Sequence, residues 1–165
     1  MRSVIFDLDL TLVDTTCLEE ARHERNWQKA YDLIPQTSLY EDMQDVLDVI
    51  AKFGIKAAIV STSPRPYVEN LVEYYNLPIQ YIVAYHDAKP IKPHPAPMLK
   101  ALDLMQISAK EAISFGDRVI DIQSSNDAGI ESVACFWGTK EKSALIQSGY
   151  NHAIISPKEI LTLIR

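Results

Sequence analysis

Short apolar runs alternate with amphipathic helical stretches almost from end to end of this chain, and that alternation limits its fold more than any other feature. The runs are Ser3–Phe6, Ile55–Val60, Gln80–Ala84, Ala112–Phe115, Ser132–Phe136 and His152–Ile155. A strand wet on one face alternates apolar and polar residues. Continuous apolar runs instead predict strands covered on both faces, as in a parallel sheet. Between them, Met43, Val46, Leu47, Ile50 and Phe53 keep the spacing of one helix face, with Gly54 as a C-terminal stop. Val68, Leu71, Val72 and Tyr75 repeat the pattern after Ser63 and Pro64, which read as a cap and a first helical residue. Met98, Ala101, Leu102 and Met105 repeat it again, and Ser156-Pro157-Lys158-Glu159 reads as a capping box. Strands alternating with such helices predict repeated βαβ units, hence one doubly wound, three-layer α/β/α domain over residues 1–165 with a mainly parallel sheet.

One segment departs from the rhythm. Thr15 to Tyr40 carries its own helical stretch from Leu18 to about Ile34, with Ala21, Trp27, Ala30, Tyr31 and Ile34 as a weak apolar stripe ended by Pro35. It reads as a short helical insertion (15–40) over one end of the sheet. Arg22, His23 and Arg25 within it read as a solvated helix face, with substrate contact over the crevice as the alternative.

Composition excludes several classes. The longest wholly apolar run is Val133 to Trp137, far short of the ~20 residues that span a bilayer. Asp7 and Asp9 interrupt the one candidate for a secretory signal. A net charge of −6 with no basic run argues against non-specific nucleic-acid binding. Cys17 and Cys135 form no CxxC and no disulfide framework, so a reduced, cytoplasmic setting is expected. An acidic chain with a complete core has no evident need to associate, which favours a monomer.

The chemistry-bearing residues stand where the apolar runs end. The first run delivers Asp7-Leu8-Asp9-Leu10-Thr11, the second Ser61-Thr62-Ser63, the fourth Gly116-Asp117. Open parallel sheets hold their ligand crevice outside those carboxyl ends, so three distant segments should meet in one crevice. Asp121 follows Asp117 by four, and one helical turn should bring both carboxylates to the same side. Four acidic groups on one edge repel unless protonated or bridged by a cation. Hard oxygen ligands without Cys or His point to Mg²⁺, which keeps waters for a phosphate.

These residues resemble the haloacid dehalogenase-like hydrolase superfamily, within it the phosphoglycolate phosphatase-like group. Asp7-Leu8-Asp9-Leu10-Thr11 is similar to its first motif, DxDxT, and Ser61 to its second. Lys92-Pro93-His94-Pro95 is similar to its third, KPxP, with Lys89 a rival lysine before proline. Gly116-Asp117 through Asp121 is similar to its fourth. The resemblance implies a Mg²⁺-dependent phosphatase with Asp7 as nucleophile, forming an aspartyl-phosphate, and Asp9 as general acid and then base. It implies Mg²⁺ held by the Asp7 carboxylate, the Asp9 backbone carbonyl and Asp117, with Asp121 as ligand or support. Ser61 and Lys92 would contact the phosphoryl group, backbone N–H groups near Leu8 and Thr62 would complete an anion cradle, and Thr11 would support the first loop. The partner implied is a phosphorylated substrate of unknown size.

The insertion of about 26 residues is much shorter than the helical bundle that group usually carries after its first motif, so the cap is expected to be minimal. Three rival readings stand beside the phosphatase. A dehalogenase needs neither Asp9 nor metal; a phosphomutase wants a closing cap; a non-enzymatic phosphate-binding or regulatory protein could use the same fold.

Overall fold

A computed structural model describes residues 1–165. Eight strands follow in chain order: β1 (Ser3–Phe6), β2 (Val13–Asp14), β3 (Ser38–Leu39), β4 (Ala57–Val60), β5 (Tyr81–Val83), β6 (Ala112–Gly116), β7 (Glu131–Cys135) and β8 (His152–Ile154). Six of them form a sheet in the order β5-β4-β1-β6-β7-β8, parallel at every pairing. The helices are α1 (Glu19–His23), α2 (Trp27–Leu33), α3 (Met43–Lys52), α4 (Arg65–Tyr74), α5 (Ala96–Met105), α6 (Val119–Asp127), α7 (Lys142–Ile146) and α8 (Ile160–Leu163).

The apolar runs are continuous because both faces of the sheet are covered. Val4, Phe6, Ala57, Ile59, Ile113 and Phe115 pack on one side with Met43, Val46 and Ile50 of α3 and Val68 and Leu71 of α4. Ile5, Ala58, Val60 and Val83 point the other way, onto Met98, Ala101 and Met105 of α5. Successive strand residues face opposite sides, so an interior strand needs an apolar residue at every position. Each such side chain contributes about 1.5–3 kcal/mol when fully buried.

Three sequence expectations need correcting. Phe53 lies just past α3 and is 55% exposed, so it does not share the buried face of Met43, Val46, Leu47 and Ile50. Ser63 does not cap α4; Pro64 holds that position in extended backbone without a side-chain cap bond. The stretch from Leu18 to Ile34 is two helices, not one. Arg25 turns into the left-handed region (φ 56°), and the Asn26 side chain then accepts the Lys29 N–H, starting α2 afresh. The C-terminal capping box forms as expected around Ser156 and Glu159, ahead of α8.

Register sets the place of the site. Phe6 pairs with Ile59 on one side and Phe115 on the other, so β1, β4 and β6 end at one level. Beyond β1 the chain turns sharply, with the Leu12 and Val13 N–H groups both donating to the Leu8 carbonyl. It continues into β2, which pairs antiparallel with β3. That two-stranded ribbon is the base from which α1 and α2 rise, and Trp27 of α2 meets Tyr67 of α4 with ring centroids 5.7 Å apart. No helix is long and apolar enough to cross a membrane.

Candidate active site

Asp7 follows β1 directly, and its N–H is tied to the Phe115 carbonyl at 2.9 Å, which fixes it beside the end of β6. There one carboxylate oxygen each of Asp7, Asp117 and Asp121 lie within 4.8 Å of one another. Gly116 makes this approach possible: a Cβ at that position would stand 2.3 Å from Asp121 Cβ. Asp117 precedes α6 and Asp121 lies in its first turn, where it also accepts the Arg118 N–H at 3.0 Å.

Burial and like charge raise the affinity of Asp117 and Asp121 for protons. Burial, then Asp7 and Asp121, push Asp117 up to about 9, against the opposing hydrogen bond from Thr11. Asp121 is raised by burial and Asp7 even though Lys92 works the other way. Thr11 Oγ1 donates to Asp117 Oδ1 at 2.9 Å, while Asp117 Oδ2 is buried without a partner.

Lys92 is the cation inside this cluster. Its Nζ donates to Asp121 Oδ1 at 2.6 Å, the Val60 carbonyl at 2.9 Å and Asp7 Oδ1 at 3.0 Å. Burial opposes its charge, but Asp121 and Asp7 outweigh burial and raise its pKa. Lys89 is exposed, with its ammonium over the Tyr85 ring. His94 is also exposed; its Nδ1 accepts the Ala96 N–H at the start of α5. Ser61 closes β4 and is buried, and its Oγ accepts the Ser63 N–H at 3.1 Å, which leaves the hydroxyl proton free to donate. Thr62 lines the crevice next to it.

Asp9 sits apart from the three clustered carboxylates in its own set of contacts. Its Oδ1 accepts hydroxyl protons from Tyr67 at 2.6 Å and Thr15 at 2.7 Å. Its Oδ2 meets the Arg22 guanidinium at 3.1 Å, with Ser63 Oγ at 3.5 Å. Burial, then the Asp9 charge, push the Tyr67 hydroxyl far up, so it remains a donor. Tyr67, Thr15 and Ser63 were not singled out from the sequence for this role. Tyr67 keeps the helical spacing of α4 with Leu71, so a periodic reading sees only a core ring. Of the two readings the sequence leaves for Arg22, a solvated helix face or a place over the crevice, the structure shows the second, with the guanidinium on Asp9. The crevice measures about 860 Å³ and opens between the strand ends and the insertion.

The arrangement places the Asp7 carboxylate beside a fixed cation, holds the Asp9 carboxylate separately, and gathers an acidic cluster. A sequence model of the haloacid dehalogenase-like hydrolase family matches residues 18–135, and the chain belongs to that family. The match takes in Ser61, Lys92, Asp117 and Asp121 and begins after Asp7 and Asp9. "Pyrophosphatase PpaX" of Bacillus mycoides is 30% identical over 132 residues, which is 79% of this chain and 58% of that protein. This chain therefore spans a little over half the length of that relative. Among solved structures, "a predicted phosphoglycolate phosphatase" from Haemophilus somnus superposes with a TM-score of 0.86 at 18% identity, over 100% of this chain and 98% of that one. A haloacid dehalogenase-like family hydrolase from Streptococcus pneumoniae gives 0.81 at 18%, over 100% and 99%. At that identity the likeness establishes the fold.

Proposed function

We propose that this protein is a Mg²⁺-dependent phosphohydrolase that cleaves a phosphate monoester through an aspartyl-phosphate on Asp7. The observation that carries the reading is the placement of the Asp7 carboxylate at the mouth of β1, 3.0 Å from a buried Lys92 ammonium that also grips Asp121. Asp7 attacks phosphorus, the bond to the leaving oxygen breaks, and Asp9 delivers the proton that oxygen needs. Asp9 then takes a proton from water as the water attacks the phosphorus of the aspartyl-phosphate. This releases inorganic phosphate and restores Asp7. Lys92, the Ser61 hydroxyl and the backbone near Leu8 and Thr62 face the phosphoryl oxygens, whose charge must be matched throughout. Tyr67 and Thr15 hold Asp9 in place.

The residues fit a hard divalent cation. Asp117 Oδ2 is a buried oxygen without a partner, and three carboxylates converge within 4.8 Å where burial and mutual repulsion otherwise raise the proton affinity of Asp117 and Asp121. Asp7, Asp117 and the Asp9 carbonyl would hold it, with Asp121 as ligand or support. Mg²⁺ bound there neutralises charge on the site and on the phosphoryl group.

Residues 15–40 serve in this reading as a minimal cap on a single domain. The open crevice admits water, which favours hydrolysis over transfer to a second sugar or alcohol. The unlinked cysteines, one exposed and one buried, suit a cytoplasmic enzyme. The test is phosphate release from p-nitrophenyl phosphate with and without Mg²⁺, followed by detection of phosphorylated Asp7 after rapid quenching. Silence from a folded, Mg²⁺-bound protein across aryl and alkyl phosphates would turn the reading toward a binding or regulatory role.

A further inference from the structure

Four Lys and Arg side chains line the crevice: Arg22, Arg25, Arg118 and Lys140. Two are neutralised on its rim, Lys140 by Glu19 and Arg118 by Glu141. Arg25 is exposed. Arg22 differs from all three. Its side chain is 22% exposed, it lies over the Tyr67 ring with 5.6 Å to the centroid, and its single ionic partner is Asp9 Oδ2. Its Nε is buried and has no acceptor. A guanidinium presents a planar fork suited to two acceptor oxygens, and here its one ionic partner is an Asp9 oxygen at the wall of the crevice.

Position says which part of a ligand would fill it. Asp9 faces the leaving oxygen in the reading above, and Arg22 stands beside Asp9 on the insertion side. Whatever is bonded beyond the leaving oxygen therefore meets Arg22. We propose that Arg22 is a specificity-determining residue that recognises a second anionic group, a carboxylate or phosphoryl group, on the leaving side of the phosphorylated substrate. The inference rests on the phosphohydrolase reading for the orientation of the ligand. A neutral alcohol offers the guanidinium no counter-charge, whereas an anionic group shares it with Asp9, its one ionic partner.

The experiment separates this inference from the reading beneath it. Affinities of phosphonoacetate, methylenediphosphonate and ethylphosphonate are measured calorimetrically with Mg²⁺ for the wild type, Arg22→Ala and Arg22→Lys. These probes carry a second carboxylate, a second phosphoryl group and no second anion. The deciding quantity is the preference for a two-anion probe over ethylphosphonate, because losing Arg22 also changes the charge around Asp9 and weakens or strengthens all three together. The wild type should prefer at least one two-anion probe about 10- to 100-fold, the worth of a charge-assisted contact. Arg22→Ala should erase that preference, and Arg22→Lys should keep part of it. Which probe is preferred identifies carboxylate or phosphoryl. A wild type without preference, or a preference undiminished in a folded Arg22→Ala protein, would overturn the assignment. If the preference collapses as expected but the wild type releases no phosphate from phosphoglycolate, pyrophosphate or p-nitrophenyl phosphate, the anion site stands and the hydrolase reading fails.

Discussion

The Tyr67 hydroxyl donates to Asp9 Oδ1 at 2.6 Å from a ring that is fully buried between α4 and the insertion. In the proposed reaction Asp9 moves protons and needs a fixed direction, and this contact joins residues 58 positions apart to supply one. Tyr67→Phe keeps the ring and removes only the hydrogen bond. Turnover should fall about tenfold, the size of one charge-assisted contact expressed in the barrier, with KM little changed. Steady-state kinetics on an alkyl phosphate checks it; an unaltered kcat would mean that Thr15 and Arg22 orient Asp9 without Tyr67.

Asp7→Asn should fold and bind Mg²⁺ weakly, yet lose turnover by several orders of magnitude, because an amide cannot form the aspartyl-phosphate. Beryllium fluoride should no longer form its acyl-phosphate mimic, readable by fluorine NMR. Activity within about tenfold of the wild type would remove Asp7 from the nucleophile's role.

Lys92→Met takes the cation from between Asp7 and Asp121 and leaves a carboxylate buried without its partner. Breaking a buried pair from one side typically costs about 3–5 kcal/mol. Urea unfolding in EDTA should show a loss of that order, partly recovered by Mg²⁺. Lys89→Met, at an exposed position, should leave the midpoint unchanged. Equal effects from the two lysines would contradict the geometry.

The acidic cluster gives stability a pH dependence with a definite sign. Asp117 is raised from an ordinary 3.8 to about 9, chiefly by burial and then by Asp7 and Asp121. A raised folded value means that its contribution is fully present below the unfolded value and is lost as pH climbs toward 9. Metal-free protein should therefore lose stability on this account from about pH 4 upward, and Asp117→Asn should flatten that part of the profile. Mg²⁺ should raise the Tm more at pH 8 than at pH 5. At a hundredfold excess over its Kd the gain should be about 2.7 kcal/mol. A Tm indifferent to Mg²⁺ at pH 8 would argue against a cation there.

Gly116→Ala should disrupt the site without removing a charged group. The added methyl would lie 2.3 Å from Asp121 Cβ and 2.6 Å from its Cγ, so β6 or α6 must shift. Overpacking of this kind costs about 1–3 kcal/mol, and the Mg²⁺-dependent rise in Tm should weaken with it. Differential scanning fluorimetry with and without Mg²⁺ reads both effects.

The strands were legible because burial on both faces is written directly into composition. All six apolar runs correspond to strands, with ends shifted by at most two residues. The same local logic misplaced Phe53, whose spacing suits the α3 face but which lies past the last turn. It also merged α1 and α2, because an apolar stripe does not show where a residue such as Arg25 will turn left-handed. Ser63 was read as a cap from its neighbour Pro64, yet its hydroxyl stands near Asp9.

By itself, the sequence determined which residue types end the strands: Asp7 and Asp9 after the first run, Ser61 after the second, Asp117 after the fourth. Those are local facts, since a strand's apolar run and the polar residue that terminates it are adjacent in the chain. Only the tertiary structure decided which of two lysines, three residues apart, joins the Asp7–Asp121 cluster. It alone directed Arg22 inward and brought Tyr67 and Thr15 onto Asp9. Periodicity reports which face of an element is covered. The partner of a polar atom depends instead on how distant elements cross, and that is fixed by the packing of α4 on the sheet and of α2 on α4.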